Sequence, residues 1–368
     1  MKIHLLLQDP NAVLVMRVPL AGAVSWEDYR QAAVQVMHAL RVELEGEKVV
    51  FKPNVTSGER FADPDTGVTT HPGFIEGMID YLRAGGTPVR KMTIVEDPRD
   101  TDDNHPRHWR GTGFERLSRE SGVRLHCPTT YTCVKKTVPA PQVFERLNVS
   151  RLVVAPNTVL FNVPKLKTHN LAITTLGMKN LMGLVNVFDR HYCFQAWDEM
   201  PAAVQQETRP RHEWFDSDMH ALWQTGLARR LVDTAQVIQP ALNIVEGVIG
   251  REGTGFQRGR NRPLGLVIAG VNLVAVDSAA SYIMGFDPQA LIYLKLATEA
   301  GLGCSEIGKL KFYTQQQGEL LLCPEPAGLR VSPAFRVITN TLGEDPNPFP
   351  TEGQVSDSSD SFFGKSQA

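Results

Sequence analysis

The stretch VLFNVPKLKTHNLAITTLGMKNLMGLVN, residues 159–186, decides how the chain is organised. It opens on a short β-branched and aromatic run, which predicts a strand over 159–167. In an extended chain the side chains alternate between faces. Val163, Lys165, Lys167 and His169 then share one face, and Pro164, Leu166 and Thr168 share the other. Asn170 is placed to cap a helix beginning near Leu171. Within that helix Thr175 and Lys179 lie one turn apart on one face, with Asn180 next in the chain. Leu176, Met178, Leu181 and Met182 surround Lys179, so its ammonium is expected to be partly buried. A buried lysine must meet an anion or give up its proton.

Working outward, strands and helices take turns. A helix is expected over 26–45 with Ser25 as its cap, then a strand VVFKP at 49–53 and a turn-rich loop at 54–67. Thr70, His71 and Pro72 start a second helix that Gly85 and Gly86 end. MTIVED at 92–97 reads as a strand, 113–122 as a helix, and VRLH (123–126) and LVVAPN (152–157) as strands. Residues 219–238, 273–285 and 288–301 read as helices. LNIVEGVIG (242–250) is a strand entering a glycine-rich loop at 251–262, and LGLVIAG (264–270) is another strand. The fold class is therefore α/β, a layered and mostly parallel sheet with flanking helices. One domain over 1–339 is expected, with a division into two α/β subdomains near 150–220 as the alternative arrangement. The aperiodic segment 187–217 reads as a lid or long loop, and the Pro-, Ser- and Asp-rich tail 340–368 as disordered.

Composition narrows the function. At 42% hydrophobic and 21% charged, the 368 residues are those of an ordinary soluble globular protein. A net charge of −2 supplies no basic field for nucleic acid. No run approaches the roughly 18 apolar residues that a membrane span needs. The start, MKIHLLLQDPNAV, is not a secretion leader, so the expected location is cytoplasmic. The five cysteines form no CxxC pair and no iron–sulfur motif. The Cys127/Cys133 spacing is a weak metal hint, and free thiols in a reducing compartment are the preferred reading.

Other candidate groups stand at strand ends. Lys52, Pro53 and Asn54 close one strand, and Thr70 at the head of the Pro72 helix offers a hydroxyl and free N–H groups to an anion. An ordinary strand-to-helix connection explains the same residues without a ligand. Glu96 and Asp97 close the next strand and suit a metal, acid/base work or a salt bridge. Gly253 and Gly255 permit close approach of backbone to a ligand, although the loop has neither a Walker nor a GxGxxG pattern, and the arginines around it suit a solvated role. Asp277 lies among small residues on a helix and needs a lysine, a metal or a backbone N–H as partner. His191 and His220 are metal candidates, without a compact metal signature.

The blocks VVFKPNV, TTHPGFIEGMIDYLRAGG, NVPKLKTHNLAITTLGMKNLMGLVN, LNIVEGVIGREGTGFQRG and NLVAVDSAASYIMGFDP, in this order, resemble the bacterial and archaeal family called domain of unknown function 362. The resemblance spans about 49–304, and the Lys165, Lys167, His169 and Thr175, Lys179, Asn180 block is its most specific part. Many members carry an attached ferredoxin-like module, which implies redox chemistry or a separate ferredoxin-like partner. This chain lacks that module, and it has Glu246 where the family pattern usually shows Asp. A more distant fold-level similarity is to the lactate racemase family, where a lysine holds a nickel-pincer cofactor. That likeness points to His169 and Lys179 without assigning nickel.

The expectation is an enzyme acting on a small anionic molecule, a carboxylate or phosphate, with the reaction type left open. Lys52, Lys165 and Lys167 would bind the anion, Lys179 would be an activated amine or cofactor anchor, and His169 a general acid/base. Asp277 and Asp97 would orient the lysines or hold a divalent metal, the one cofactor the residues suggest. The alternative is a non-catalytic cofactor-binding or redox-partner protein. Oligomeric state is left open.

Overall fold

Two neighbouring strands carry the architecture. In β2 (Lys48–Pro53) and β7 (Thr158–Val163), Phe51 and Phe161 point to one face of the sheet, and Val50 and Leu160 point to the other. Both faces are buried, as a parallel sheet covered by helices on each side requires. The computed structural model describes residues 1–55, 63–97, 101–186, 188–189, 192–195, 217–256 and 258–339, with the backbone alone for 194–195 and 217–220.

The other strands are β1 (Ala12–Arg17), β3 (Met92–Val95), β4 (Arg124–His126), β5 (Cys133–Thr137), β6 (Arg146–Ser150), β8 (Lys165–His169), β9 (Ile173–Thr175), β10 (Leu242–Gly253), β11 (Gly259–Gly270), β12 (Lys311–Gln316) and β13 (Glu319–Cys323). The main sheet runs β13-β12-β1-β11-β10-β7-β2-β3-β4, with β8 paired to β10 and β9. Strands β10, β7, β2, β3 and β4 are mutually parallel, and β11 and β13 run against their neighbours. β5 and β6 form a separate hairpin.

Helices α1 (Trp26–Leu40), α2 (Pro72–Ala84) and α3 (Phe114–Ser121) bury Tyr29, Val36, Phe74, Met78 and Phe114 against one face, with Phe51, Ile94 and Phe161. The other face is covered by α4 (Gly177–Asn180), α5 (Tyr192–Gln195), α6 (Ser217–Val237), α7 (Leu273–Met284) and α8 (Ile292–Glu299), against Val50, Leu160, Val245 and Ile268. Each fully buried Phe or Leu contributes about 1.5–3 kcal/mol by leaving water. α1 starts where the sequence says, with a Ser25–Asp28 capping box, but it ends at Leu40, where Arg41 turns left-handed at φ 51°.

The chain departs from the sequence reading in places that shape the site. Residues 151–154 form a 3-10 turn, not a strand. No helix begins near Leu171. Instead β8 turns back into β9, and helix forms only at Gly177. His169 causes the turn, because its Nδ1 accepts the N–H groups of Leu171 (3.0 Å) and Ala172 (3.1 Å). Thr175 and Lys179 therefore do not share a helix face. The glycine-rich segment 251–262 is mostly ladder, since β10 and β11 stay paired out to Gly253 and Gly259. Most of the expected 187–217 lid and the whole 340–368 tail lie outside the described residues.

From β2 the chain proceeds through α2 to β3 on one side, while β7 lies on the other side. The order thus reverses between β2 and β7. In open α/β sheets, ligands bind beyond the carboxyl ends of the strands at such a point.

Candidate functional site at the strand ends

Three rows of residues cross the sheet at this point. The first is Lys52, Asn162 and Asn243, register neighbours on β2, β7 and β10. Asn162 Nδ2 donates to Asn243 Oδ1 (3.0 Å) and to the carbonyl of Gly177 (3.1 Å). Asn180 Nδ2 donates to Asn162 Oδ1 (2.8 Å) and to the Lys52 carbonyl (2.9 Å). Lys52 Nζ in turn donates to Asn180 Oδ1 (3.0 Å) and the Pro53 carbonyl (2.6 Å), and pairs with Glu96 at 2.8 Å. Glu96 also accepts the N–H groups of Val55 (2.7 Å) and Asp97 (2.9 Å). Burial pushes its carboxyl up, and Lys52 opposes that rise. Lys52 and Asn180, both expected to bind substrate, are thus spent on holding α4 to the strand ends.

Asp277 serves the same helix from the other side. Its carboxylate accepts Gly177 N–H (2.7 Å) and Met178 N–H (2.8 Å), the first donors of α4. Complete burial pushes its pKa up to about 7, and the two backbone bonds oppose the rise. Its hydrogen-bond partners are thus backbone groups of α4, not a lysine.

The second row pairs Lys165 on β8 with Glu246 on β10. Their ion pair of 2.7 Å has both side chains at 0% exposure. Burial lowers the Lys165 ammonium, and Glu246 holds it up. Glu246 also accepts the N–H of His71 (3.2 Å) and Val248 (3.0 Å). The His71 ring stacks on Tyr29 at 3.8 Å, and Lys165 Nζ sits 5.4 Å from the Tyr29 ring centroid. Burial, with Lys165 nearby, pushes the His71 imidazole down to about 3. Thr70 donates to the Val163 carbonyl (2.7 Å) and accepts Asn54 N–H (2.8 Å). Both expected anion binders therefore pin the strand exits.

The third row is Lys167 on β8 against Arg251 on β10. Lys167 Nζ donates to the Val68 carbonyl (2.8 Å). Arg251 Nη1 donates to Asn261 Oδ1 (2.9 Å) and the Thr66 carbonyl (3.3 Å). Between those two carbonyls Gly67, at φ 69°, lets the loop lie on Asn261, because a Cβ there would sit 2.6 Å from Oδ1. Burial pulls the Lys167 ammonium well below its usual range, and the charges of Lys179, Arg251 and Lys165 add to that pull. Burial also brings Arg251 down to about 10. Lys179 itself is half-buried, with Nζ 3.8 Å from Met182 Sδ.

His169 and the hairpin tip close the site. Because Nδ1 accepts two backbone N–H groups, the neutral ring carries its proton on Nε2. His169 is thus a donor through Nε2, and Nδ1 is not available as a base. Thr168 Oγ1 donates to the Gly253 carbonyl (2.7 Å). A Cβ on Gly255, at φ 83°, would come within 1.9 Å of the Thr168 carbonyl oxygen. Gly255 thus accommodates the β8 backbone, and Gly253, whose Cβ would meet the Arg258 carbonyl oxygen at 2.4 Å, accommodates the other arm of the β10–β11 hairpin. Thr175 lies opposite Lys167 across the β8–β9 ladder. Asp97 is half-buried beside Glu96. His191 lies outside the described residues, as does the side chain of His220. Among the described residues no group of three or more His, Cys, Asp or Glu is placed to hold a metal ion.

The sequence gives the arginines of the 251–262 segment, Arg251 among them, only a solvated role. Glu246 and Arg251 are five residues apart, which under strict alternation puts them on opposite faces. The register against β8 slips between them, and the consecutive Val248 and Ile249 both pack against the α1–α2 core. The only sequence sign of that slip is the pair of glycines at 247 and 250.

A family model described as Domain of unknown function (DUF362) matches residues 49–282, and the chain belongs to that family. The chain is also similar to the thylakoid-associated protein sll1697 of Synechocystis sp. (strain ATCC 27184 / PCC 6803 / Kazusa). The identity is 25% over 259 residues, covering 70% of this chain and 69% of that protein. Neither match supports the likeness to the lactate racemase family. Among the described residues no helix is long and apolar enough to cross a membrane.

Proposed function

We propose that this member of the domain of unknown function 362 family is an enzyme that binds a small anion, a carboxylate or phosphate, beyond the ends of β2, β7 and β8. In this reading the Lys167 amine moves a proton on the bound molecule. The supporting observation is a group of buried cations in which Arg251 keeps an unused donor edge. Among the described residues at the crevice, Lys52, Lys165, Lys167 and Arg251 are buried, against the two buried carboxylates Glu96 and Glu246. Taking an ion out of water costs several kcal/mol unless it is paired. Two of the cations are closed by Glu96 and Glu246. Arg251, whose Nε and Nη2 lack a hydrogen-bond partner among the described residues, calls for an anion, and burial presses Lys167 toward loss of its proton. Arginine keeps its proton, whereas lysine gives it up and becomes a base.

Roles follow from position. Arg251 and the half-buried Lys179 attract the anion, Lys167 is the amine, and His169 offers Nε2–H. The Lys165–Glu246 pair, locked to His71 and Tyr29, sets where Lys167 stands.

The test has two parts. Isothermal titration with acetate and with phosphate should show binding that Lys167→Met weakens about tenfold or more. Incubation of small carboxylic acids in deuterated water should show carbon-bound hydrogen exchanging with wild type and not with Lys167→Met. A wild-type protein that binds neither anion would sink the proposal.

A further inference from the structure

We propose that the Nε/Nη2 edge of Arg251 is a preformed fork for the carboxylate of the ligand, gripped side-on through both oxygens. This rests on the anion-site reading above and adds the anchoring group and its orientation. Arg251 is 1% exposed, yet only one of its nitrogens is used. Nη1 is held by Asn261 Oδ1 and the Thr66 carbonyl, whereas among the described residues Nε and Nη2 have no hydrogen-bond partner. A buried donor without an acceptor is costly, so native proteins rarely keep one without a purpose.

The identity of the two unused atoms matters. In the planar guanidinium, Nε–H and the nearer Nη2–H run parallel on one edge. That edge matches two oxygens of one carboxylate, and a pair of unrelated acceptors would not need it. The fork is also fixed in advance. Asn261 is the register partner of Arg251 across the β10–β11 hairpin, so the residue that holds Nη1 is itself set by the ladder. Nearby acidic groups are engaged elsewhere. Glu246 faces Lys165, and Glu252 accepts from Arg260 and Arg262.

Charge selects between oxyanions. Lys52 and Lys165 each have a carboxylate partner, and the donor edge left for a ligand belongs to Arg251. The charge to be met at that edge is that of one guanidinium. A monoanionic carboxylate balances it, and a phosphate dianion brings excess negative charge into a buried place.

Arginine Nε–H spectra of the full-length protein, recorded during titration with sodium acetate, test this directly. The Arg251 signal is identified by its absence in Arg251→Lys or, if that variant does not fold, in Arg251→Gln. Acetate should move that signal, sodium chloride should leave it in place, and phosphate should bind more weakly than acetate. Arg251→Lys keeps the charge and loses the fork, so acetate affinity should fall about tenfold or more. Binding of acetate with the signal unmoved, or tighter binding of phosphate, would overturn the fork and leave the anion site standing. A wild-type protein that binds no anion would overturn both.

Discussion

Lys52 and Lys165 look alike in sequence to Lys167, since all three sit at strand ends, but they differ in what surrounds them. Each of the first two is closed by a buried glutamate. Removing Lys52 alone leaves Glu96 without its cation in a buried place. Lys52→Met is therefore expected to cost about 3–5 kcal/mol in urea unfolding. The double variant Lys52→Met/Glu96→Gln should recover part of that loss, because it no longer strands a charge. A single variant as stable as wild type would contradict the pairing. Asp277 gives a pH test. Its carboxyl is raised from 3.8 to about 7, so the folded state favours the neutral form. The stability it contributes is fully present below the unfolded value and is lost as pH rises through about 7. Asp277→Asn should therefore flatten the decline in melting temperature across that window while lowering it throughout, since one acceptor is lost. An unchanged profile would show that Asp277 does not titrate there.

At the scale of elements, the strand at 159–167 was legible from β-branched residues and alternation, and so was the common face of Lys165 and Lys167. The helix expected after Asn170 was not, because Asn and His both satisfy nearby backbone N–H groups. Here the His169 ring does so and makes a hairpin instead. Arg251 was hidden for a different reason. Period-two reasoning fails wherever a register slips, and no residue in VIG announces the slip strongly. Gly255 marks the contact between that hairpin and β8. Gly255→Ala combines a positive φ with a clash against the Thr168 carbonyl. It is expected to lower stability by about 2–4 kcal/mol in thermal unfolding and to weaken anion binding with it. Retention of both would show that the hairpin tip has room.

The whole molecule was legible as an α/β sheet because strands and helices alternate between about 49 and 301 in the sequence. Its far side was not. β1 lies between β11 and β12, with Leu14 opposite Ala269, a pairing that no local pattern encodes. The sheet is thus closed by the first residues and among the last described ones. Deletion of residues 1–17 removes the strand between β11 and β12 and leaves two open edges. The truncated protein is expected to aggregate, as read by size-exclusion chromatography. A monodisperse, folded truncation would mean that β1 is dispensable.

The break in alternation at Val248 and Ile249 also bears on how the spacing between Glu246 and Arg251 can change in evolution. Restoring strict alternation takes the loss of a single codon there. The strand would remain apolar and well suited to the sheet, and the arginine, then four positions from Glu246, would keep its face but stand closer to that glutamate along the strand. An inherited deletion so small would alter the distance between the two side chains and their register against β8, while the fold stands.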